Sequence, residues 1–201
     1  SAGSLKGWEE VGFEGETHYQ FEEVQEGQEA QEAQEGHNKQ TIDALLAKSE
    51  NSASGWIYKQ KINIQQFPFL NWRWKAIKPL PPMNEQAKEG DDYVARIYVL
   101  VSDGWFFWQT KALNYVWSSG SDKGVTWPNA YAPDNAKMMA LRTSDDEINT
   151  WYDEKRNVFE DLKQWLGKAY KTVDAIAIMT DSDDSGMVAS SMYGDIYFSR
   201  N

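Results

Sequence analysis

Late in the sequence, several oxygen-bearing side chains lie close together in one short loop. In "TDSDDSG", Asp181, Asp183 and Ser185 alternate, and Gly186 follows them. This spacing is typical of the first half of an EF-hand loop, in which alternate oxygens converge on calcium and glycine permits a sharp turn. The twelfth position is Met192 rather than glutamate, which excludes an EF-hand. Three hypotheses remain: a calcium site completed by distant residues, a plain turn between two strands, and direct contact with a ligand.

A second group of side chains has the types that recognise a polyhydroxylated ligand. Flat aromatic rings stack on apolar C–H faces, and planar amide, carboxylate and guanidinium groups bind hydroxyls. The predicted ligand-binding residues are Arg96, Tyr98, Asn114, Trp117, Trp127, Asn129, Tyr131 and Arg156, and the predicted metal ligands are Asp181 and Asp183. Trp105, Trp108 and Asp134 lie close to them in the chain and have the same chemistry.

Each of these candidates has a structural alternative. Arg96 and Tyr98 share the non-core face of one strand, where they either line a groove or form an ion pair and a surface hydroxyl. Trp117 fits the core and a ligand site equally well. Trp127 stands in the Gly-, Pro- and Asn-rich stretch "GVTWPNAYAP", which favours exposure. For Arg156, a salt bridge to an aspartate of the sheet competes with ligand contact.

The sequence contains no motif of a known catalytic class. It has no nucleophile elbow, phosphate-binding glycine loop, histidine-based metal motif or dinucleotide fingerprint. The absence of cysteine excludes disulfides and a thiol nucleophile. Cleavage of a polysaccharide could use two carboxylates, or an Arg and Tyr pair acting on a uronate. Glu154, Asp161, Asp181 and Asp183 supply such carboxylates, but their spacing selects none of them.

The elements that position these residues are mostly predicted strands. Residues 55–64, 69–77, 93–101, 105–117 and 136–143 read as extended segments bounded by turns. In the second, Leu70, Trp72, Trp74 and Ala76 share one face, which indicates a half-buried strand. Because no regular strand-helix alternation occurs, the pattern predicts an all-β sandwich rather than a parallel sheet.

One segment breaks the strand pattern. Ser144 and Glu147 form a capping box, apolar residues then recur at helical spacing, and Gly167 follows as a C-cap. The sequence therefore predicts one helix, or two short ones, between Ser144 and Gly167, packed against the sandwich.

Composition limits the partners of this chain. Its 201 residues suit a single domain over 1–201, with an acidic Gln-Glu-rich insert or loop at 22–40. Ten of the glutamates lie between Glu9 and Gly36, where no Lys, Arg or Asp occurs, so the net charge of −11 is concentrated there. Nucleic acid is excluded as a partner, since phosphate binding needs clustered cations. No apolar run is long enough to span a membrane.

Several blocks of the sequence resemble a bacterial family, the domain of unknown function numbered 3047. They are "SASGW", "WRWK", "GDDYVARIYVLV", "ALNYVW", "EKRNVFEDLKQWLG" and "VDAIAIMTDSDDSG…YGDIYF", and the resemblance covers about Thr41 to Phe198. It implies a periplasmic or extracellular protein of a Gram-negative bacterium, with its signal peptide removed. Relative to the family pattern, the Gln-Glu repeat looks like an insertion.

The last ~30 residues also resemble, at the level of fold, the closing strands of jelly-roll carbohydrate-binding modules. The resemblance implies a jelly-roll, galactose-binding-like β-sandwich with one packed helix. Together with the aromatic content, it leads to the expectation of noncatalytic glycan binding, with no required cofactor and structural calcium as an open alternative. The competing hypotheses are a small polysaccharide-cleaving enzyme on the same fold and an envelope scaffold that binds a protein partner.

Overall fold

The structure, a computed structural model, describes residues 6–25, 41–102 and 110–201. The elements in chain order are β1 (Trp8–Glu14), β2 (His18–Gln25), β3 (Thr41–Glu50), β4 (Ala53–Tyr58), β5 (Ile62–Asn63), β6 (Phe69–Lys78), a 3-10 turn (Lys88–Gly90), β7 (Arg96–Ser102), β8 (Thr110–Trp117), β9 (Thr126–Pro128), β10 (Ala136–Arg142), β11 (Tyr152–Asn157), α1 (Val158–Leu166), β12 (Thr172–Val173), β13 (Ala175–Asp181) and β14 (Val188–Ser199). The predicted loop over the Gln-Glu repeat from Glu26 onward, and the candidates Trp105 and Trp108, lie outside the described residues.

The strands form two large sheets that pack face to face. Seven strands make one sheet in the order β1-β4-β13-β7-β8-β10-β9, and five make the other in the order β11-β6-β14-β3-β2. Strands β5 and β12 pair separately. Neighbouring strands are antiparallel except for β8 and β10, which run parallel. This arrangement confirms the predicted jelly-roll β-sandwich with one packed helix.

The core lies between the two sheets, where alternation along the strands places apolar side chains. Strand β6 contributes Leu70, Trp72 and Trp74, which are at most 2% exposed, as the sequence predicts. From the opposite sheet, Tyr115 stacks on Trp72 with ring centroids 5.3 Å apart. Trp117 approaches Trp74 at 6.0 Å. Large rings from both sheets therefore fill the interior, which absorbs much of the aromatic content of the chain.

The single helix of the described residues is shorter than the sequence predicts. It begins after Asn157, whose side chain accepts a hydrogen bond from the Glu160 N–H at 3.1 Å. Gly167 is its C-cap, as predicted, with a left-handed φ of 72°. Asp161 and Leu162 face inward and are buried.

The helix predicted upstream of Asn157 is wrong. Residues Tyr152–Asn157 form strand β11, which pairs with β6 along its length. Asn149 has a φ of 60° and donates its N–H to the Ala76 carbonyl at 2.7 Å, so the chain before β11 is also tied to the sheet. Ser144 therefore caps no helix, and Asp146 accepts the Thr143 N–H at 2.9 Å within a turn. Hydrogen bonds between β11 and β6 outweigh a weak local preference for helix.

The acidic amino-terminal segment contains two strands that sequence reasoning did not predict. Strand β1 is the edge of the seven-stranded sheet and β2 is the edge of the five-stranded sheet. Glu9 on β1 pairs with Lys59 at 2.5 Å, and most other side chains of β1 are exposed. Glutamates on an edge strand oppose edge-to-edge pairing between molecules, which gives this charge a structural role.

Candidate functional site

A groove of about 430 Å³ lies on the outer face of the seven-stranded sheet, turned away from the core. Strands β13, β7 and β8 are neighbours there. Arg96 and Tyr98 point into the groove because Ile97 and Val99, which alternate with them, are buried in the core. Seven of the residues predicted from sequence line this groove: Arg96, Tyr98, Asn114, Asn129, Tyr131, Asp181 and Asp183.

Arg96 is held at the floor of the groove by a buried ion pair. Its Nη2 contacts Asp181 Oδ2 and donates to the Asp91 carbonyl at 3.1 Å. The guanidinium lies over the rings of Tyr93 and Tyr98, at 4.4 and 5.3 Å from their centroids. Burial acts to lower the pKa of Arg96, but the combined attraction of Asp181, Tyr98, Asp91 and Tyr93, with Asp181 the strongest of them, raises that pKa above its usual value. The positive charge of Arg96 is therefore balanced within the protein by Asp181.

Asn129 positions the loop that forms one rim of the groove. Its Nδ2 donates to both carboxylate oxygens of Asp91, at 3.0 and 2.8 Å. Its Oδ1 accepts the N–H groups of Tyr131 and Ala132, at 3.1 and 3.0 Å. Because all of these contacts are internal, Asn129 fixes the backbone beside Tyr131 rather than offering a free amide to a ligand.

The rim of the groove carries two exposed aromatic rings, Tyr131 and Phe13, which are 54% and 71% exposed. The Tyr131 hydroxyl donates to Asp184 Oδ1, and Lys88 Nζ lies 4.9 Å from the centre of its ring. Burying a flat apolar face of either ring against a ligand would be favourable.

Two polar atoms at the floor of the groove have no partner among the described residues. Asn114 is 1% exposed, and its Nδ2 donates to the Lys137 carbonyl at 3.3 Å, but its Oδ1 accepts no hydrogen bond. Arg96 Nε is likewise buried without an acceptor. An unpaired buried polar atom is costly, so a donor and an acceptor left open in a groove mark places where a ligand would be stabilised.

The aspartate loop after β13 closes one end of the groove. Asp92, Asp181 and Asp183 each offer one oxygen, and these three atoms lie within 4.8 Å of one another, an arrangement that could hold a metal ion. Asp92 also accepts the N–H groups of Asp184 and Ser185, at 3.2 and 2.7 Å. These bonds are the ones expected of a tight turn held by a carboxylate from the neighbouring segment.

Carboxylates outnumber cations around this loop. Burial, followed by repulsion from neighbouring carboxylates such as Asp92, raises the pKa values of Asp183 and Asp184. Burial also raises the pKa of Asp181, although Arg96 opposes the shift. The groove therefore has a negative field, and an anionic ligand would meet repulsion there.

The sequence model of a family described as "Protein of unknown function (DUF3047)" matches residues 6–197. The chain belongs to the DUF3047 family. The match begins upstream of Thr41, so it includes β1 and β2 as well as the blocks recognised by inspection. No curated protein matches the chain. Within the described residues of this DUF3047 protein, no helix combines the length and apolarity that crossing a membrane requires.

Solved β-sandwich structures are similar to this DUF3047 chain at low sequence identity. A family 11 carbohydrate-binding module from Clostridium thermocellum, in complex with a β-1,3-1,4-mixed-linked tetrasaccharide, has 10% identity and a TM-score of 0.45, covering 98% of this chain and 90% of its own. A cellulase derived from Cel12A of Rhodothermus marinus has 10% identity and a TM-score of 0.46, covering 96% and 99%. The xyloglucanase domain of NopAA from Sinorhizobium fredii has 8% identity and a TM-score of 0.45, covering 100% and 97%. Because these TM-scores are below 0.5, no functional argument rests on these likenesses.

Two tryptophans predicted to bind ligand lie instead in the interior of the DUF3047 fold. Trp117 is 2% exposed and donates its indole N–H to the Thr143 carbonyl at 3.0 Å. Trp127 is 3% exposed and packs with Tyr93 and Met138. The exposure predicted for Trp127 is wrong because "TWP" forms strand β9, which pairs with β10 and turns the ring inward.

Arg156 lies away from the groove and forms a structural salt bridge. Its Nε and Nη2 donate to Asp161 Oδ2 and Oδ1, at 2.9 and 2.7 Å. Asp161 also accepts the Tyr115 hydroxyl at 2.7 Å. Arg156 therefore forms the salt bridge that was the alternative to ligand contact, and its partner is an aspartate of α1 rather than one of the sheet.

Sequence reasoning missed several residues that line the groove, and three of them matter most for ligand binding. Phe13 lies on β1, inside the glutamate-rich stretch between Glu9 and Gly36. Asp91 and Asp184 also line the groove. The pair Val11 and Phe13, two residues apart among glutamates, is a signal that could have indicated a strand.

Proposed function

We propose that this protein binds a glycan, without cleaving it, in the groove on the outer face of the seven-stranded sheet. The observation that carries the proposal is the unpartnered acceptor Asn114 Oδ1 and the unpartnered donor Arg96 Nε, buried atoms of two residues that line the groove together with the exposed ring of Tyr131. A sugar hydroxyl both donates and accepts, so it can satisfy both atoms. The sugar's C–H face would stack on the ring.

The composition of the groove favours this function over the scaffold hypothesis. A docking surface for a protein would present a contiguous apolar patch. The exposed rings of Phe13 and Tyr131 instead stand beside Asp183, Asp184 and Asn114 in a concave site. Its volume of about 430 Å³ suits a few sugar units. An exported location, as the family resemblance implies, is part of the same proposal.

Calorimetric titration with a panel of neutral, amine-bearing and acidic oligosaccharides tests the binding. We expect one class to bind the wild type, and we expect Tyr131→Ala and Asn114→Leu each to weaken its affinity about tenfold, since a stacked ring or a buried hydrogen bond contributes about 1–1.5 kcal/mol. The first variant removes the ring, and the second removes the open acceptor.

The matched control is Tyr197→Ala, because Tyr197 is 56% exposed but does not line the groove. Its affinity should equal that of the wild type. A weakening by Tyr197→Ala that equals the weakening by Tyr131→Ala would place the binding elsewhere and contradict the proposal. Absence of binding across the panel would contradict it as well.

Glycan cleavage is the second candidate function, and one observation favours it. The raised pKa values of Asp183 and Asp184 are a property that a general acid needs. The uronate mechanism is not favoured, because Arg96 is already paired with Asp181. New reducing ends after incubation with the bound glycan, lost in Asp183→Asn while binding persists, would replace the binding proposal with hydrolysis.

The proposal requires no metal ion. Calcium binds six to eight oxygens, whereas this cluster offers three carboxylates, one of which is paired with a guanidinium. We expect the melting temperature at neutral pH to be the same within about 1 °C in calcium and in chelator, since a ligand stabilises a protein only when it binds the native state. A calcium-dependent rise that disappears in Asp92→Asn would instead establish a structural calcium site.

A further inference from the structure

The free carboxylates of the groove are not matched by a free cation. Among its lining residues, five are acidic: Glu14, Asp91, Asp181, Asp183 and Asp184. The basic member of the lining is Arg96, whose guanidinium is already paired with Asp181. The residues that line the groove therefore carry an excess of negative charge, and the nearest cation at the rim, Lys88, lies over the ring of Tyr131.

The contacts separate the structural carboxylates from those open to a ligand. Asp91 binds the Asn129 amide and Asp181 binds Arg96 and the Tyr93 N–H, so both are engaged inside the protein. Asp183 accepts no hydrogen bond from the side chain or backbone of another described residue, and Asp184 accepts one, from Tyr131. Glu14, Asp183 and Asp184 are thus the lining carboxylates with capacity to spare, and of these Asp183 and Asp184 are adjacent in the chain and can hold one group between them.

We propose that the groove selects glycans that carry an ammonium group, such as oligomers of hexosamine with free amines, over neutral and uronate-containing glycans. This inference rests on the proposed function. The ammonium group would sit between Asp183 and Asp184, while hydroxyls of the same chain meet Asn114 Oδ1 and Arg96 Nε. An ammonium has three N–H donors and no acceptor, which complements carboxylates that only accept.

Two independent observations support this assignment. The unpartnered Oδ1 of Asn114, on a side chain that is 1% exposed, indicates a ligand at this place irrespective of charge. One carboxylate oxygen from each of Asp92, Asp181 and Asp183 lies within 4.8 Å of the other two, and a bound cation would relieve the repulsion among these crowded carboxylates.

Calorimetry with three tetrasaccharides at pH 6 and low salt tests the proposal: glucosamine tetramer, N-acetylglucosamine tetramer and galacturonate tetramer. The first two differ in whether the amine is free or acetylated, so the ratio of their affinities isolates the effect of the charge. We expect the glucosamine tetramer to bind about tenfold more tightly than its acetylated form, as two partly buried ion pairs would provide. The galacturonate tetramer should bind most weakly. Added salt should reduce the preference.

The double variant Asp183→Asn, Asp184→Asn should lower the affinity for the glucosamine tetramer about tenfold, because the ion pairs are lost. Its affinity for the acetylated tetramer should stay within about twofold of the wild-type value. Asp122→Asn is the matched control, because Asp122 is exposed and does not line the groove. If Asp122→Asn lowers the affinity for the glucosamine tetramer as much as the double variant does, the attraction is nonspecific and the inference is overturned.

The remaining outcomes distinguish the inference from the function on which it rests. Equal binding of the amine and acetylated tetramers, sensitive to Tyr131→Ala, would overturn the charge preference and leave glycan binding standing. Binding of none of the three tetramers, nor of any other oligosaccharide in the panel, would overturn both.

Discussion

Replacement of Arg96 by methionine (Arg96→Met) is expected to lower the free energy of unfolding by about 3–5 kcal/mol, because removing one member of a buried ion pair leaves the other charge uncompensated. Arg96 and Asp181 are 4% and 3% exposed, so water cannot replace the lost partner. Asp91 and Asp92 are buried nearby and add to the repulsion. Urea unfolding at neutral pH measures the change.

The double variant Arg96→Met, Asp181→Asn is the control for this prediction. Asparagine removes the stranded charge but keeps an acceptor for the Tyr93 N–H, which Asp181 Oδ1 binds at 3.2 Å. The double variant should therefore be more stable than Arg96→Met alone. If the single variant loses less than about 1 kcal/mol, the value of an exposed pair, the account of Arg96 as a buried structural cation is wrong.

The loss caused by Arg96→Met should also depend on pH. Burial raises the pKa of Asp181, and removal of Arg96 takes away the interaction that opposes this shift. A carboxyl with a raised pKa in the folded protein binds more protons there than in the unfolded chain, so stability falls as pH rises through that pKa. The deficit of Arg96→Met should accordingly be smaller in acid than at neutral pH.

Trp117→Ala should destabilise the fold strongly, whereas Tyr131→Ala should not. Trp117 contacts Trp74 and Tyr152, at centroid distances of 6.0 and 5.5 Å, and its removal leaves a large cavity. We expect a loss of about 3–5 kcal/mol for Trp117→Ala and less than about 1 kcal/mol for Tyr131→Ala, whose ring is exposed. Urea unfolding of both variants measures the two losses.

This comparison separates the packing rings from the proposed ligand-binding ring. Trp117→Phe serves as a control, because it keeps part of the ring volume and should lose less stability than Trp117→Ala. Equal losses for Trp117→Ala and Tyr131→Ala would contradict the assignment of Trp117 to the core and of Tyr131 to the rim.

Much of the groove could be predicted because strand alternation alone determines which side chains leave the core. Ile97, Val99 and Val101 are apolar and alternate with Arg96 and Tyr98, so the polar pair had to face outward. The aspartate turn after β13 was likewise readable from its Asp, Ser and Gly residues, although its partner Asp92 comes from a distant segment.

The errors have a common physical cause, which is strand pairing between distant segments. Trp127 was expected to be exposed, yet pairing of β9 with β10 buries it against Met138. Tyr152–Asn157 lies within a longer segment whose apolar residues recur at helical spacing, but its pairing with β6 determines its structure. Phe13 reaches the groove only because β1 pairs with β4, and that pairing cannot be predicted from the local sequence.

The most direct test of glycan binding in the groove is to map backbone amide shifts by NMR while adding the tightest-binding oligosaccharide of the panel. We expect shifts at Tyr131 and Ala132, whose N–H groups donate to Asn129, and at Asp184 and Ser185, whose N–H groups donate to Asp92. We expect none at the separate pocket lined by Trp8, Tyr58 and Tyr197. Shifts confined to that second pocket, with the groove unchanged, would contradict the account.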